Sequence, residues 1–145
     1  EVGGSMVAAM EVPQGKTSSY GILDVAQKNE NLLAVKGMVE KPAAGDQPSN
    51  LAVIGRYILT PNIFKHIGKQ EFGTGGEIQL TDAIANEIVL GNPVNGFRFD
   101  GQRFDCGTKA GFLQATISFA LARKDLRDEL TDYLHELVSV SKAAQ

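Results

Sequence analysis

Four short apolar runs crowd the first 59 positions, and each is cut off by a proline or a polar loop. Ser5–Val12 stops at Pro13, Tyr20–Val25 at the polar turn Gln27–Asn31, Leu32–Glu40 at Pro42, and Leu51–Leu59 at Pro61. Runs this short, ended by such breakers, read as strands rather than helices. The spacing of Tyr20–Val25 and Leu32–Glu40 fits an antiparallel hairpin. The third run closes on an adjacent acid and base, Glu40-Lys41, before Pro42. On its own such a pair is also what two solvated charges at a strand end look like.

Helical patterns take over downstream. Thr60-Pro61 has the form of a helix start, with a helix from Asn62 to about Gly68. Phe72–Gly76 reads as a glycine-rich turn, and Glu77–Leu90 as a helix stopped by Gly91. Asp100-Gly101 between Val94–Phe99 and Arg103–Cys106 is a strong two-residue hairpin signal. Lys109–Ala122 is an apolar helix. Asp125–Val138 is a last helix with Leu126, Leu130, Leu134 and Leu137 on one stripe, a pattern more often core than partner seam. Strands first, helices later and hairpins between them imply a mixed-sheet α/β piece, not a repeating βαβ fold.

Composition narrows the function classes. A chain of 145 residues, 43% hydrophobic and 21% charged, fits an ordinary globular domain. A net charge of −3 argues against a nucleic-acid groove or a basic membrane patch. No stretch reaches the ~20 apolar residues of a membrane helix, and no basic start with an apolar core marks a signal peptide. The one cysteine, Cys106, forms no internal disulfide, favours a reducing, cytoplasmic setting, and is expected to pack inside. His66 and His135 lack ligand-like spacing. The chain begins at Glu1 and runs almost at once into a strand, which reads as a piece of a longer protein.

Four motifs fall in one order and spacing: Val39-Glu40-Lys41-Pro42, Asn50–Tyr57, Gly75–Ala83 and Phe104-Asp105-Cys106-Gly107. Together they resemble the C-terminal half of the bacterial UTP–glucose-1-phosphate uridylyltransferases, the UDP-glucose pyrophosphorylases. The resemblance covers nearly everything from Gly4 to Ala122. It implies part of a Rossmann-like nucleotide-diphospho-sugar transferase fold, with a sugar-phosphate-binding part at residues 1–124 and a helix and tail at 125–145 that can serve oligomerisation. The family's glycine-rich nucleotide loop is missing from these residues, so the fragment alone is expected to be inactive. By the resemblance the intact enzyme joins UTP and glucose 1-phosphate with Mg2+, and forms homo-oligomers. Thymidylyl or cytidylyl transfer, and a non-catalytic sugar-nucleotide-binding module, are the alternatives.

The resemblance also implies roles. Glu40 would accept hydrogen bonds from sugar hydroxyls, and Lys41 would set its ammonium against the sugar phosphate. Gly21 would let the sugar approach its strand, although a bulge explains a strand glycine as well. Val53 would line the sugar pocket or belong to the core. Asp105 would share Mg2+ with an aspartate from outside this chain; a lone Asp before a helix can equally be its cap. Gly73–Gly76 lacks the Lys-Ser/Thr ending of a phosphate loop and reads as a structural turn.

Overall fold

The computed structural model describes residues 2–68 and 77–143, with side chains through Val140. The expected turn at Phe72–Gly76 lies outside the described residues. Two compact units are present, residues 1–100 and 101–145.

The first unit is built on five strands: β1 (Ser5–Glu11), β2 (Gly21–Asn29), β3 (Leu32–Glu40), β4 (Leu51–Ile58) and β5 (Val94–Arg98). They close into a barrel in the order β1-β4-β2-β3-β5. β1 and β5 run parallel, and the other pairs are antiparallel. The sheet is therefore mixed, as the order of strands and helices implied. Along β1 the side chains alternate, with Val7 and Ala9 fully buried between half-buried neighbours, which is the period-two pattern of a strand over a core. Pro13 ends β1, and a short 3-10 helix (Gln14–Ser19) follows, in which Thr17 Oγ1 donates to the Gln14 carbonyl at 2.7 Å.

β2 is longer than the sequence suggested. Gln27, Lys28 and Asn29, read as turn, pair with Ala34, Leu33 and Leu32. They are exposed, so their polarity reports a ribbon in water rather than a break in the strand. The true turn is only Glu30-Asn31, with Glu30 at φ 52°. The hairpin expected around Asp100-Gly101 is absent, and Arg103–Cys106 carries no strand. β5 already has β1 on one edge and β3 on the other, so no edge is left for a further partner. Where β5 closes the ring, a Cβ on Gly96 would meet the Leu23 and Leu33 side chains at 3.0–3.1 Å; glycine there lets the strands approach.

Two helices complete this unit, α1 (Ile63–Ile67) and α2 (Leu80–Val89). Ile63, Ala83 and Ile84 join Val7, Leu23, Leu33 and Leu51 in one apolar cluster. α2 starts three residues later than expected, at Leu80, and Gly91 follows it at φ 82°. Among the described residues one ionisable side chain is buried, Glu87, 2% exposed. His66 Nε2 lies 2.5 Å from Glu87 Oε1, and Thr60 Oγ1 donates to Oε2 at 3.5 Å. Thr60 is itself held through its N–H, which donates to Ser5 Oγ at 3.1 Å. His66 is thus a structural tie between α1 and α2.

The second unit contains α3 (Lys109–Ala122) and α4 (Arg127–Ala143). Thr108 caps α3 by accepting from the Gly111 N–H at 3.0 Å. Phe104 meets Phe119 in a tilted pair, with centroids 5.8 Å apart and ring planes at 56°. Arg127 Nε donates to the Leu121 carbonyl at 2.8 Å, which fixes the turn between the helices. The leucine stripe does not form a core: Leu126 and Leu137 are exposed, and no described side chain of α4 is buried. Cys106 is exposed too, against expectation, because it sits in the turn before α3 rather than in a strand.

Replacing His66 by Ala leaves a buried carboxylate without its nearest partner and should lower the unfolding free energy by about 1–3 kcal/mol. Adding Glu87→Leu should recover most of the loss, since an apolar pair leaves nothing unsatisfied. Urea denaturation of the parent, the single and the double variant checks both outcomes.

Candidate functional site

Gly21, the first residue of β2, pairs directly with Glu40, the last of β3. That register places a residue without a side chain beside a carboxylate at the mouth of the hairpin. A Cβ at Gly21 would lie 2.7 Å from Thr81 Cγ2 and 3.1 Å from Glu40 Oε2. The register irregularities of β2 fall between Asp24 and Gln27, so Gly21 is a site of close approach and not a bulge. What comes close is the protein's own α2: Thr81 Oγ1 donates to Glu40 Oε2 at 2.8 Å.

Lys41 follows at φ 44°, a left-handed conformation uncommon outside glycine, and its N–H donates to the Tyr20 carbonyl at 3.0 Å. The kink turns the chain out of the sheet just before Pro42. Lys41 Nζ stands 3.8 Å from Glu40 Oε1. The two side chains differ in setting: Glu40 is 10% exposed and Lys41 49%. A nearly buried carboxylate and a reachable ammonium thus sit side by side, on a backbone strained at the lysine. Strain of this kind costs on the order of 1–3 kcal/mol and persists only where the surroundings enforce it.

A concavity of about 220 Å³ opens beside the pair, and Tyr20, Gly21, Glu40, Val53, Tyr57 and Thr81 help line it. It is smaller than the ~300–1,000 Å³ of sites that enclose a whole ligand. Val53 is 6% exposed, belongs to the apolar cluster and also lines this space. Burial pushes the Tyr57 phenol above its ordinary range, and the charge of Glu40 adds to the rise.

Asp105 lies in the second unit, exposed, with Oδ1 accepting from the Gly107 N–H at 3.1 Å. It forms a local turn and does not cap α3, a task taken by Thr108. Among the described residues no group of three or more His, Cys, Asp and Glu side chains gathers to hold a metal. Mg2+ takes few protein carboxylates and keeps water and phosphate oxygens, so one exposed carboxylate fits a partial share of such a site. A larger concavity of about 420 Å³ in the second unit is lined by Cys106, Thr108, Lys109, Phe112 and Leu113 among others, and no acidic side chain lines it. Gly73–Gly76 lies outside the described residues.

Three of the four expected substrate residues, Gly21, Glu40 and Val53, therefore line one space, with Lys41 adjoining Glu40. Thr81 and Tyr57 had no role assigned from sequence, although both stand inside motifs that carried the resemblance. Thr81 is 41 positions from Glu40, and no local pattern announces a contact of that separation.

The chain belongs to the nucleotidyl transferase family, whose model matches residues 2–120. Its similarity is more particular than that. Over 137 residues it is 47% identical to a UTP–glucose-1-phosphate uridylyltransferase of Staphylococcus haemolyticus, covering 94% of this chain and 47% of the relative. The Bacillus subtilis protein of the same name is 44% identical over 137 residues, with 93% of this chain and 46% of the relative covered. A crystal structure of UDP-glucose pyrophosphorylase complexed with UDP-glucose superposes with a TM-score of 0.77 at 40% identity, over 83% of this chain and 45% of that one. The chain spans about half the length of the curated relatives it matches.

Alkaline titration followed by phenolate absorbance should show a step above the ordinary phenol range near 10 that disappears in Tyr57→Phe. In Glu40→Gln the step should move down without reaching the ordinary value, because burial is the larger cause. The sign for stability follows: folding raises this phenol, so its contribution is intact below the unfolded value and lost as pH rises through the folded one.

Proposed function

We propose that these residues are the sugar-phosphate-binding, C-terminal half of an enzyme that makes UDP-glucose and pyrophosphate from UTP and glucose 1-phosphate. The observation that carries the reading is a nearly buried Glu40 lining one small polar space, with the reachable Lys41 ammonium 3.8 Å from its Oε1. Uridylyl transfer asks little covalent help of a protein. It asks that the sugar phosphate oxygen be held in line with the α-phosphorus and that charge be neutralised as pyrophosphate leaves.

In this scheme Glu40 accepts from glucose hydroxyls, and a charged acceptor gives stronger, directional bonds than a neutral one. Lys41 holds the sugar phosphate as a point charge and is the catalytic residue of this half. Val53 packs on the sugar, and Gly21, without a side chain, admits Thr81 to the Glu40 carboxylate. Asp105 would contribute one carboxylate to Mg2+, which when bound supplies charge neutralisation at the phosphates. Recognition of the uracil and the triphosphate falls to residues outside this chain.

Two further features belong to the proposal. The exposed apolar residues of α4, Tyr133, Leu137 and Val140, suit contact with a second copy. No described helix is long and apolar enough to cross a membrane, and an exposed free thiol at Cys106 suits the reducing cytoplasm.

In the complete protein Lys41→Ala should lower turnover by about 100-fold or more, the scale of one lost electrostatic contact in a transition state, with the melting temperature retained. Turnover unchanged within error would instead favour a non-catalytic binding module. Residues 1–145 by themselves should release no pyrophosphate from UTP and glucose 1-phosphate; release would refute the division of labour proposed here. Sedimentation of the complete protein should show self-association that Leu137→Lys weakens.

A further inference from the structure

We infer that Thr81 is a positioning residue that fixes the orientation in which the Glu40 carboxylate meets the sugar. The inference rests on the reading of Glu40 as sugar acceptor given above. Thr81 stands in the first turn of α2, is 8% exposed, and donates through Oγ1 to Oε2 at 2.8 Å. A hydroxyl at this helix position commonly bonds to nearby backbone; here it is turned instead onto a strand 41 residues away in sequence.

The contact is possible because residue 21 is glycine. The Thr81 methyl and Glu40 Oε2 occupy the volume that a Cβ would claim. Its other oxygen, Oε1, faces the Lys41 ammonium at 3.8 Å. Each oxygen of Glu40 thus has a different neighbour: a neutral donor from within the protein on Oε2, and on Oε1 the cation expected to hold the sugar phosphate. Oε1 is then the oxygen nearer to a sugar whose phosphate is at Lys41. A carboxylate held beforehand loses less conformational freedom when the ligand arrives, and the gain appears as affinity for the sugar phosphate.

Thr81→Val keeps the shape and removes the donor, whereas Thr81→Ser keeps the donor. In the complete protein with UTP and Mg2+, Thr81→Val should raise KM for glucose 1-phosphate about tenfold, the scale of one charge-assisted hydrogen bond, with KM for UTP unchanged. Thr81→Ser should stay within about threefold of the parent, since the donor survives. Combined with Glu40→Gln, Thr81→Val should add almost nothing, because a residue acting through Glu40 has no effect once that carboxylate is gone. Three results would overturn the inference: a parent-like KM in Thr81→Val, equal effects of Val and Ser, or full additivity with Glu40→Gln. If Glu40→Gln itself leaves KM for glucose 1-phosphate unchanged, the assignment of Glu40 fails and this inference fails with it. If Glu40→Gln raises KM while Thr81→Val does not, only the role of Thr81 is lost.

Discussion

The crowding of Gly21, Glu40 and Thr81 is the constraint on which the site depends. Backbone pairing sets Gly21 opposite Glu40, and the missing side chain admits α2 to the strand pair. Without that admission the carboxylate would be a half-solvated charge at a strand end. With it, the acid is nearly buried, hydrogen-bonded and adjacent to a lysine whose own backbone is forced into a left-handed turn. Chemistry at this corner therefore starts from sterics.

Much of the barrel was legible because its strands obey a local rule. β1 and β3 alternate buried and accessible positions, and prolines stand after three of the strands, so their ends show in the sequence. The tip of β2 was not legible, since a ribbon in water and a turn have the same polar composition. The Asp100-Gly101 signal misled for another reason. Turn chemistry is local, whereas the edges of β5 are taken by β1 and β3, a fact of topology that no dipeptide encodes. Cys106 followed from the same error: a strand there would have buried it, and a turn exposes it.

The site was legible in its charges and not in their support. Glu40 and Lys41 are neighbours in sequence, and a known pattern surrounds them, so residue type and order were enough to single them out. Thr81 and Tyr57 come from a helix and another strand, and only folding brings them to the carboxylate. The leucine stripe of α4 shows the reverse limit. Its period correctly gives a helix, but amphipathicity alone does not say what the apolar side meets, and among the described residues none is buried.

The parallel pairing of β1 with β5 has a consequence for synthesis on the ribosome. Ser5 pairs with Val94, so β1 must wait for nearly the whole barrel before it acquires that neighbour. Until then β1 and β3 each present an open edge, and unpaired edges invite pairing with other chains. Long-range strand pairing also forms slowly, because loop entropy is lost before contacts form. A nascent chain halted before Pro93 would carry Glu40 at the end of β3 and Lys41 just after it while its barrel stood open, a state exposed to chaperones and aggregation.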